Sequence, residues 1–365
     1  MQPLTSKMKQ NGFSLVEIMI GMVISLISMV IILQIFTAFE GQKRTSTSGS
    51  DAQSIGTISM FNIERDVRNA GYGMTDQGLL GCKINASFNG TLLPTQTLMP
   101  LQITQGAGTR PDRIDVMASG KTSFSIPARI TVDHPASATN FFINSTQGMQ
   151  VNDIMIAYQP GLDCTVVQIT GIPNGNVQIH HQSTSPWNPP GGQNIFPPGG
   201  YSAGAILFNF GALLSHSYYV DSANKLILQN LNTSNNTSST QEMNSDVANM
   251  QAQYGFDTRA GTQSTAIVDT WSDTLIDADG DGTVGNGGDI QRMIAIRLAL
   301  SIRSTRKEPP APAIGCNITT AAPTWAGGTL DVSKYPDGKS FPDWKCYRYK
   351  TFETIIPLRN IIWGQ

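Results

Sequence analysis

Three aspartates alternate with small residues in Asp277-Ala278-Asp279-Gly280-Asp281-Gly282-Thr283, and Asp289 follows shortly after. Carboxylates at this spacing repel one another unless a cation sits among them. A hard ion such as calcium takes six to eight oxygens, and a D-x-D-x-D-G run can bring three carboxylates around one centre. Gly282 permits the sharp turn, and the Thr283 carbonyl would be the fourth ligand. Gly288 stands where such loops usually place a bidentate Glu, so Asp289 would close the site instead. The expected ligand set is Asp277, Asp279, Asp281, Thr283 and Asp289, holding a structural calcium ion. A strand is expected after the loop, with no flanking helices.

The four cysteines, Cys82, Cys164, Cys316 and Cys346, contain no C-x-x-C pair, which argues against a zinc ribbon or a thioredoxin-like site. An even count in a translocated domain suggests disulfides, and three pairings are open. Nearness in sequence favours Cys82–Cys164 and Cys316–Cys346. Adjacent residues on a strand point to opposite faces, so His180 and His181 read as surface histidines and not as joint ligands. His134 and His216 stand isolated in the sequence. There is no G-x-S-x-G, P-loop or H-E-x-x-H, and an enzyme is not expected.

These residues need a scaffold, and composition bounds it. The chain has 365 residues, 24 Lys plus Arg against 26 Asp plus Glu, and only 14% charged residues. That near-neutral balance disfavours nucleic acid as a partner. A hydrophobic share of 40% can build a core, and a mean hydropathy of -0.13 excludes a multi-span membrane protein. One exception stands out. Ile18 to Phe39 is an uncharged run of 22 residues, about 33 Å as a helix and long enough for a hydrocarbon core of about 30 Å. Glu17 breaks the apolar pattern that begins at Phe13. A carboxylate there needs a partner, and no Lys or Arg lies within the segment. Cutting between Gly12 and Phe13 would place a new ammonium four residues before Glu17.

The stretch Lys7-Met8-Lys9-Gln10-Asn11-Gly12 followed by Phe13-Ser14-Leu15-Val16-Glu17 resembles the class III signal of type IV prepilins. The resemblance implies cleavage after Gly12 by prepilin peptidase and N-methylation of Phe13. It assigns Glu17 to the charge pair that sets axial register between packed subunits. Many major pilins carry a kinking proline in this segment, whereas no proline occurs from Phe13 to Asn69. A continuous helix is therefore expected as far as the Gly/Ser stretch near Thr45–Ser50. A second helical stretch follows, with Ile55, Ile58, Met60, Phe61, Ile63, Val67 and Ala70 at helical spacing. Glu64, Arg65, Asp66 and Arg68 occupy its polar side, and Gly71-Tyr72-Gly73 ends it.

Glu64-Arg65-Asp66-Val67-Arg68-Asn69-Ala70-Gly71-Tyr72, with Cys82 beyond, resembles the PilW family of minor pilins, relatives of the J-type minor pseudopilins of type II secretion. Phe352-Glu353-Thr354-Ile355-Ile356-Pro357-Leu358-Arg359-Asn360 resembles that family's final strand. The resemblance implies an inner-membrane protein with its C-terminal domain in the periplasm, later carried to the pilus tip on the cell surface. Its implied role is to initiate pilus assembly within a minor-pilin complex. The implied partners are other minor pilins and the major pilin through the N-terminal helix, prepilin peptidase, the inner-membrane assembly platform and a large tip adhesin. A type II secretion pseudopilin and an anchored calcium-dependent adhesin are the alternatives.

The expected organisation is a leader over 1–12, a transmembrane and assembly helix over 13–71, and a globular domain over 72–365. The expected fold is α+β and pilin-like, with an antiparallel β-rich body and long loops. Strands are expected at Arg113–Met117, Asp153–Tyr158, Thr165–Ile169, Ala205–Phe210, Lys225–Leu228 and Met293–Ile302. Loops are expected at Trp187–Tyr201, Asn230–Gln241 and Glu308–Pro312.

Overall fold

The computed structural model describes residues 12–74, 77–121, 126–173, 177–192, 194–232, 237–261, 266–308 and 315–363. The leader residues Lys7 to Asn11 therefore lie outside the described residues, as do the middle of Asn230–Gln241 and most of Glu308–Pro312. The chain divides into two compact units, Met1–Asp51 and Ala52–Gln365.

Helix α1 runs from Leu15 to Arg68 as one element of 54 residues. The expected interruption at Thr45–Ser50 does not occur. Hydroxyls along the helix donate back to carbonyls of the preceding turn: Ser28 to Ile24, Thr45 to Gly41 and Thr57 to Gln53. Polar residues that could leave the helix thus bond within it, and no proline removes a ladder donor. In the first unit every large apolar side chain from Phe13 to Phe39 is at least 49% exposed. A helix apolar all round finds its environment in lipid or among other helices.

In the second unit the last turns of α1 bury Ala52, Gly56, Ser59, Met60, Ile63 and Val67, a stripe at three- and four-residue spacing. Ile58 and Phe61, expected in that stripe, are 52% and 62% exposed and lie off it. Gly56 is required by contact: a Cβ there would fall 2.1 Å from the Phe352 ring.

The body is strand-rich. A four-stranded antiparallel sheet has the order Thr270–Ser272, Val247–Phe256, Met293–Arg303, Tyr349–Pro357. A five-stranded antiparallel sheet has the order Thr237–Asn244, Leu226–Asn232, Leu213–Val220, Arg113–Ser119, Leu101–Thr104. Asn230–Gln241, expected as a loop, thus belongs largely to two paired strands. Thr237 to Glu242 are all exposed on the outer strand, so their composition shows no apolar period. The third sheet has the order Gln96–Thr97, Lys83–Asn85, Cys164–Gln168, Ile154–Tyr158, Ile206–Gly211, Ala128–Arg129. Its strands are antiparallel except for the parallel pairing of Lys83–Asn85 with Cys164–Gln168.

This third sheet separates two cores. Ile154, Ile156, Cys164, Val166, Phe208 and Phe210 face the main core, shared with α1 and the other two sheets. Met155, Ala157, Val167 and Leu207 face a second core with Phe141, Ile179, Ile195, Phe196 and Tyr201. Burial on both faces explains why Ile154–Tyr158 and Cys164–Gln168 carry continuous rather than alternating apolar runs.

Candidate functional site

The first candidate site is the start of α1. Ser14 precedes the helix, and its backbone N–H donates to Glu17 Oε2 at 3.0 Å. Glu17 thereby satisfies one of the donors left free at a helix N-terminus, and its negative charge suits the positive end of the helix dipole. Gly12, Phe13 and Glu17 are all exposed, so the expected cleavage junction and the carboxylate sit on an accessible segment.

The second is the aspartate loop. Its local bonds are those of a tight acidic turn. Asp277 Oδ1 accepts the Gly280 and Asp281 N–H groups and Oδ2 accepts that of Gly282. Asp279 Oδ1 accepts Asp281 N–H, and Asp281 Oδ1 accepts Thr283 N–H. Carboxylate oxygens of Asp277, Asp279 and Asp281 lie within 4.8 Å of one another. Partial desolvation, with the charges of Asp281 and Asp289, raises the Asp279 carboxyl above the ordinary aspartate range. Such crowding fits a divalent ion bound through oxygen.

Asp289 takes a different position from the one expected. It is fully buried, and its oxygens accept N–H groups of Ala278 (2.5 Å), Asp279 (3.2 Å) and Gly285 (2.6 Å). It clasps the loop from within and is not among the converging carboxylates. A helix also follows the loop directly. α2 spans Gly287–Arg292 and is capped by the Asn286 side chain, which accepts from Asp289 N–H; only then does the strand Met293–Arg303 begin. This corrects the expectation of an immediate strand. Gly288 has a steric reason, because a Cβ there would fall 1.8 Å from Asp279 Oδ2. A glutamate at that position has no room.

The cysteines form Cys82–Cys164, with Cα atoms 5.9 Å apart, and Cys316–Cys346, with Cα atoms 4.7 Å apart. The first joins the parallel strand pair of the third sheet. The second ties the 316–346 loop region, where Tyr335, Phe341 and Tyr347 pack in a chain of aromatic contacts.

Two polar clusters escaped the sequence. His181 is buried, not on the surface, and His134 is not isolated: their Nε2 atoms lie 2.9 Å apart. The His134 ring stacks on Phe141 at 3.9 Å between centroids, and Phe196 packs against both histidines. Burial pushes His134 down to about 4, and burial with the neighbouring charge pushes His181 down to about 3, so both are neutral at ordinary pH. His180 alone behaves as expected, turning away toward Gln178. His216 is likewise engaged. Asp66 Oδ2, assigned by sequence to a polar helix side, accepts from His216 Nδ1 at 2.7 Å and from Tyr218 OH at 2.5 Å. Burial would raise the Asp66 carboxyl, but the bonds from His216 and Tyr218 and the charges of His216 and Arg65 outweigh it and hold the group below its usual range. No local motif signals either cluster, since the partners are 47 and 150 residues apart.

Comparison with known proteins bears on both ends of the chain. Residues 7–33 match the prokaryotic N-terminal methylation motif, and residues 217–360 match PilW, the Type IV Pilus-assembly protein W family. No curated protein matches the chain significantly. The PilW match covers the outer half of the five-stranded sheet, the whole four-stranded sheet and the aspartate loop, and it stops short of the second core. The family is structural rather than catalytic. A methylation motif thus opens a membrane-length apolar helix, and a region similar to the Type IV Pilus-assembly protein W family closes a strand-rich body.

Proposed function

We propose that this protein is a minor pilin that helps initiate type IV pilus assembly as part of a tip complex, after removal of residues 1–12 and methylation of Phe13. The observation that carries this reading is the coincidence on one chain of the methylation motif and the PilW domain. The body would face the periplasm while the apolar part of α1 holds the inner membrane. Glu17 would exchange its local bond to Ser14 for the new ammonium at Phe13, of the same or a neighbouring subunit. Its partners would be the other minor pilins, the major pilin, prepilin peptidase and the assembly platform.

The reading is tested by recovering the protein from membranes and pili and reading its N-terminus. Methylated Phe13 supports it; an intact Met1 in assembled fibres refutes it. Glu17→Ala should insert into the membrane normally yet fail to enter filaments.

Calcium forms a second part of the proposal. Asp277, Asp279 and Asp281 would hold the ion, with Asp289 keeping the loop closed behind them. Calcium would supply the charge that lets three carboxylates share the turn, as a structural tie. Thermal melting of the full chain in calcium and in chelator tests it, with Asp279→Ala/Asp281→Ala expected to abolish the difference. Melting that ignores both calcium and chelator would remove the ion from the account.

A further inference from the structure

The chain segment that builds the second core leaves and rejoins the five-stranded sheet at a narrow neck. Arg113–Ser119 and Leu213–Val220 end their pairing at Ser119 opposite Leu213. There the chain departs through Gly120 and returns through Ala212. The backbones press together, for a Cβ on Gly120 would lie 2.0 Å from the Ala212 carbonyl oxygen. At this neck three polar side chains meet out of water: Lys121 and Asp153, with side chains 10% and 9% exposed, and Asn209, also buried.

Asp153 gathers an amine and an amide around one carboxylate. Lys121 Nζ lies 2.7 Å from Asp153 Oδ2. Asn209 Nδ2 donates to the same Oδ2 at 2.8 Å, so one carboxylate oxygen touches both an amine and an amide nitrogen. Asn209 Oδ1 accepts the Gly211 N–H at 2.9 Å, a donor placed to stabilise negative charge developing on that oxygen. Gly211 also makes room for the amine, because a Cβ there would lie 2.9 to 3.3 Å from the Lys121 side-chain carbons. The Gln150 N–H donates to Asp153 Oδ2 as well and fixes it.

We propose that Lys121 and Asn209 join in an intramolecular amide bond, with Asp153 as the proton carrier. The Lys121 ammonium passes a proton to Asp153 Oδ2. The freed lone pair adds to Asn209 Cγ and forms the new C–N bond, while the charge on Oδ1 rests on the Gly211 N–H. Asp153 relays protons from the attacking nitrogen to the departing one. The old Cγ–Nδ2 bond breaks, ammonium leaves, and Asp153 returns to a carboxylate. No oxidant or external cofactor enters the balance. The bond closes the neck covalently around residues 122–208, which contain the whole second core, so that a pull along the chain bypasses that segment.

Mass spectrometry of the reduced and alkylated full chain decides the question. The bond removes one ammonia, about 17 Da, and leaves the Lys121 and Asn209 peptides joined after digestion, with no cleavage after Lys121. Asp153→Ala should restore the full mass and separate the peptides. Asn209→Asp should lose water instead of ammonia and give a joined product of the same mass as the cross-linked natural chain. Separate peptides of full mass from the natural chain would overturn the proposal without need of any variant. A loss of about 18 Da with Lys121 joined to Asp153 would equally overturn the assignment of Asn209 as acceptor.

Discussion

The two cores share the strands Ile154–Tyr158, Cys164–Gln168 and Ile206–Gly211, yet they are built on different terms. The main core joins the end of α1 to three sheets through aliphatic and aromatic side chains, and its acidic groups are held by hydrogen bonds, as Asp66 and the buried Asp289 show. The second core is smaller and carries polar chemistry inside: the neutral His134–His181 pair, and Thr165 bonded to Tyr201 OH at 2.9 Å and to the Ile195 carbonyl at 2.7 Å. A core held by apolar area tolerates a change of pH. One that buries titratable groups in their neutral form does not. The lobe outside the PilW match should therefore fail under conditions that the matched body survives.

The largest separation is expected from the disulfides. Cys82–Cys164 closes a separation of 82 residues and anchors the strand pair that both cores use. Cys82→Ser/Cys164→Ser should cost about 4 kcal/mol on the chain-entropy account, lowering the denaturation midpoint of both cores together. Cys316→Ser/Cys346→Ser should spare the second core. If the first pair of substitutions unfolds only the lobe, the shared sheet is not the common support.

Acid should separate the cores next. His134 and His181 have folded pKa values depressed to about 4 and about 3. The unfolded chain takes up protons below about pH 6.5 while the folded lobe does not, so the stability these groups contribute is present above that pH. It drains away as pH falls toward the folded values, by about 3 kcal/mol for His134 alone. Hydrogen exchange as a function of pH should show amides of Phe141, Ile179 and Leu207 opening near pH 4 while those of Met250 and Leu298 stay protected. Simultaneous opening would merge the two cores into one cooperative unit.

How far the sequence discloses this architecture follows the same division. Arg113–Ser119 alternates in burial, and Ile154–Tyr158 is apolar throughout, so both strands are legible from side chains alone. The prepilin segment is legible because Gly12, Phe13 and Glu17 are local to one another. Thr237–Asn244 is not, since an outer strand with exposed side chains is held by backbone pairing to Leu226–Asn232, which composition does not encode. The aspartate loop is half legible: the alternating carboxylates announce themselves, while the clasping role of Asp289 depends on α2 folding the chain back. His134–His181, Asp66–His216 and Lys121–Asp153–Asn209 exist only once elements distant in sequence pack together.

The attachment of α1 can be tested at Gly56. Gly56→Val drives a side chain into the space the Phe352 ring fills, and overpacking of this kind costs about 1–3 kcal/mol. The effect should appear as lowered protection of the main core and easier proteolysis near Ala52, with the second core unmoved. Gly56→Val/Phe352→Ala, which removes the obstructing ring, should recover part of the loss; no recovery would mean that the glycine serves the helix backbone and not the contact.

Asp66 offers the smallest effect and the sharpest sign. Asp66→Asn keeps the shape and one acceptor oxygen but removes the charge that His216 and Tyr218 bond to, so about 1–2 kcal/mol should be lost near neutral pH. Because the folded carboxyl is held below its usual range, its contribution is present above the unfolded pKa and is lost as pH falls through the lower folded one. The gap between the natural chain and Asp66→Asn should therefore close in acid, at a pH below that at which the histidine lobe has already opened. Denaturant titrations at several pH values measure it. A gap that persists unchanged at pH 2 would mean that Asp66 acts by shape alone, and the main core would then have no acid-sensitive margin to set against the acid-sensitive interior of the second.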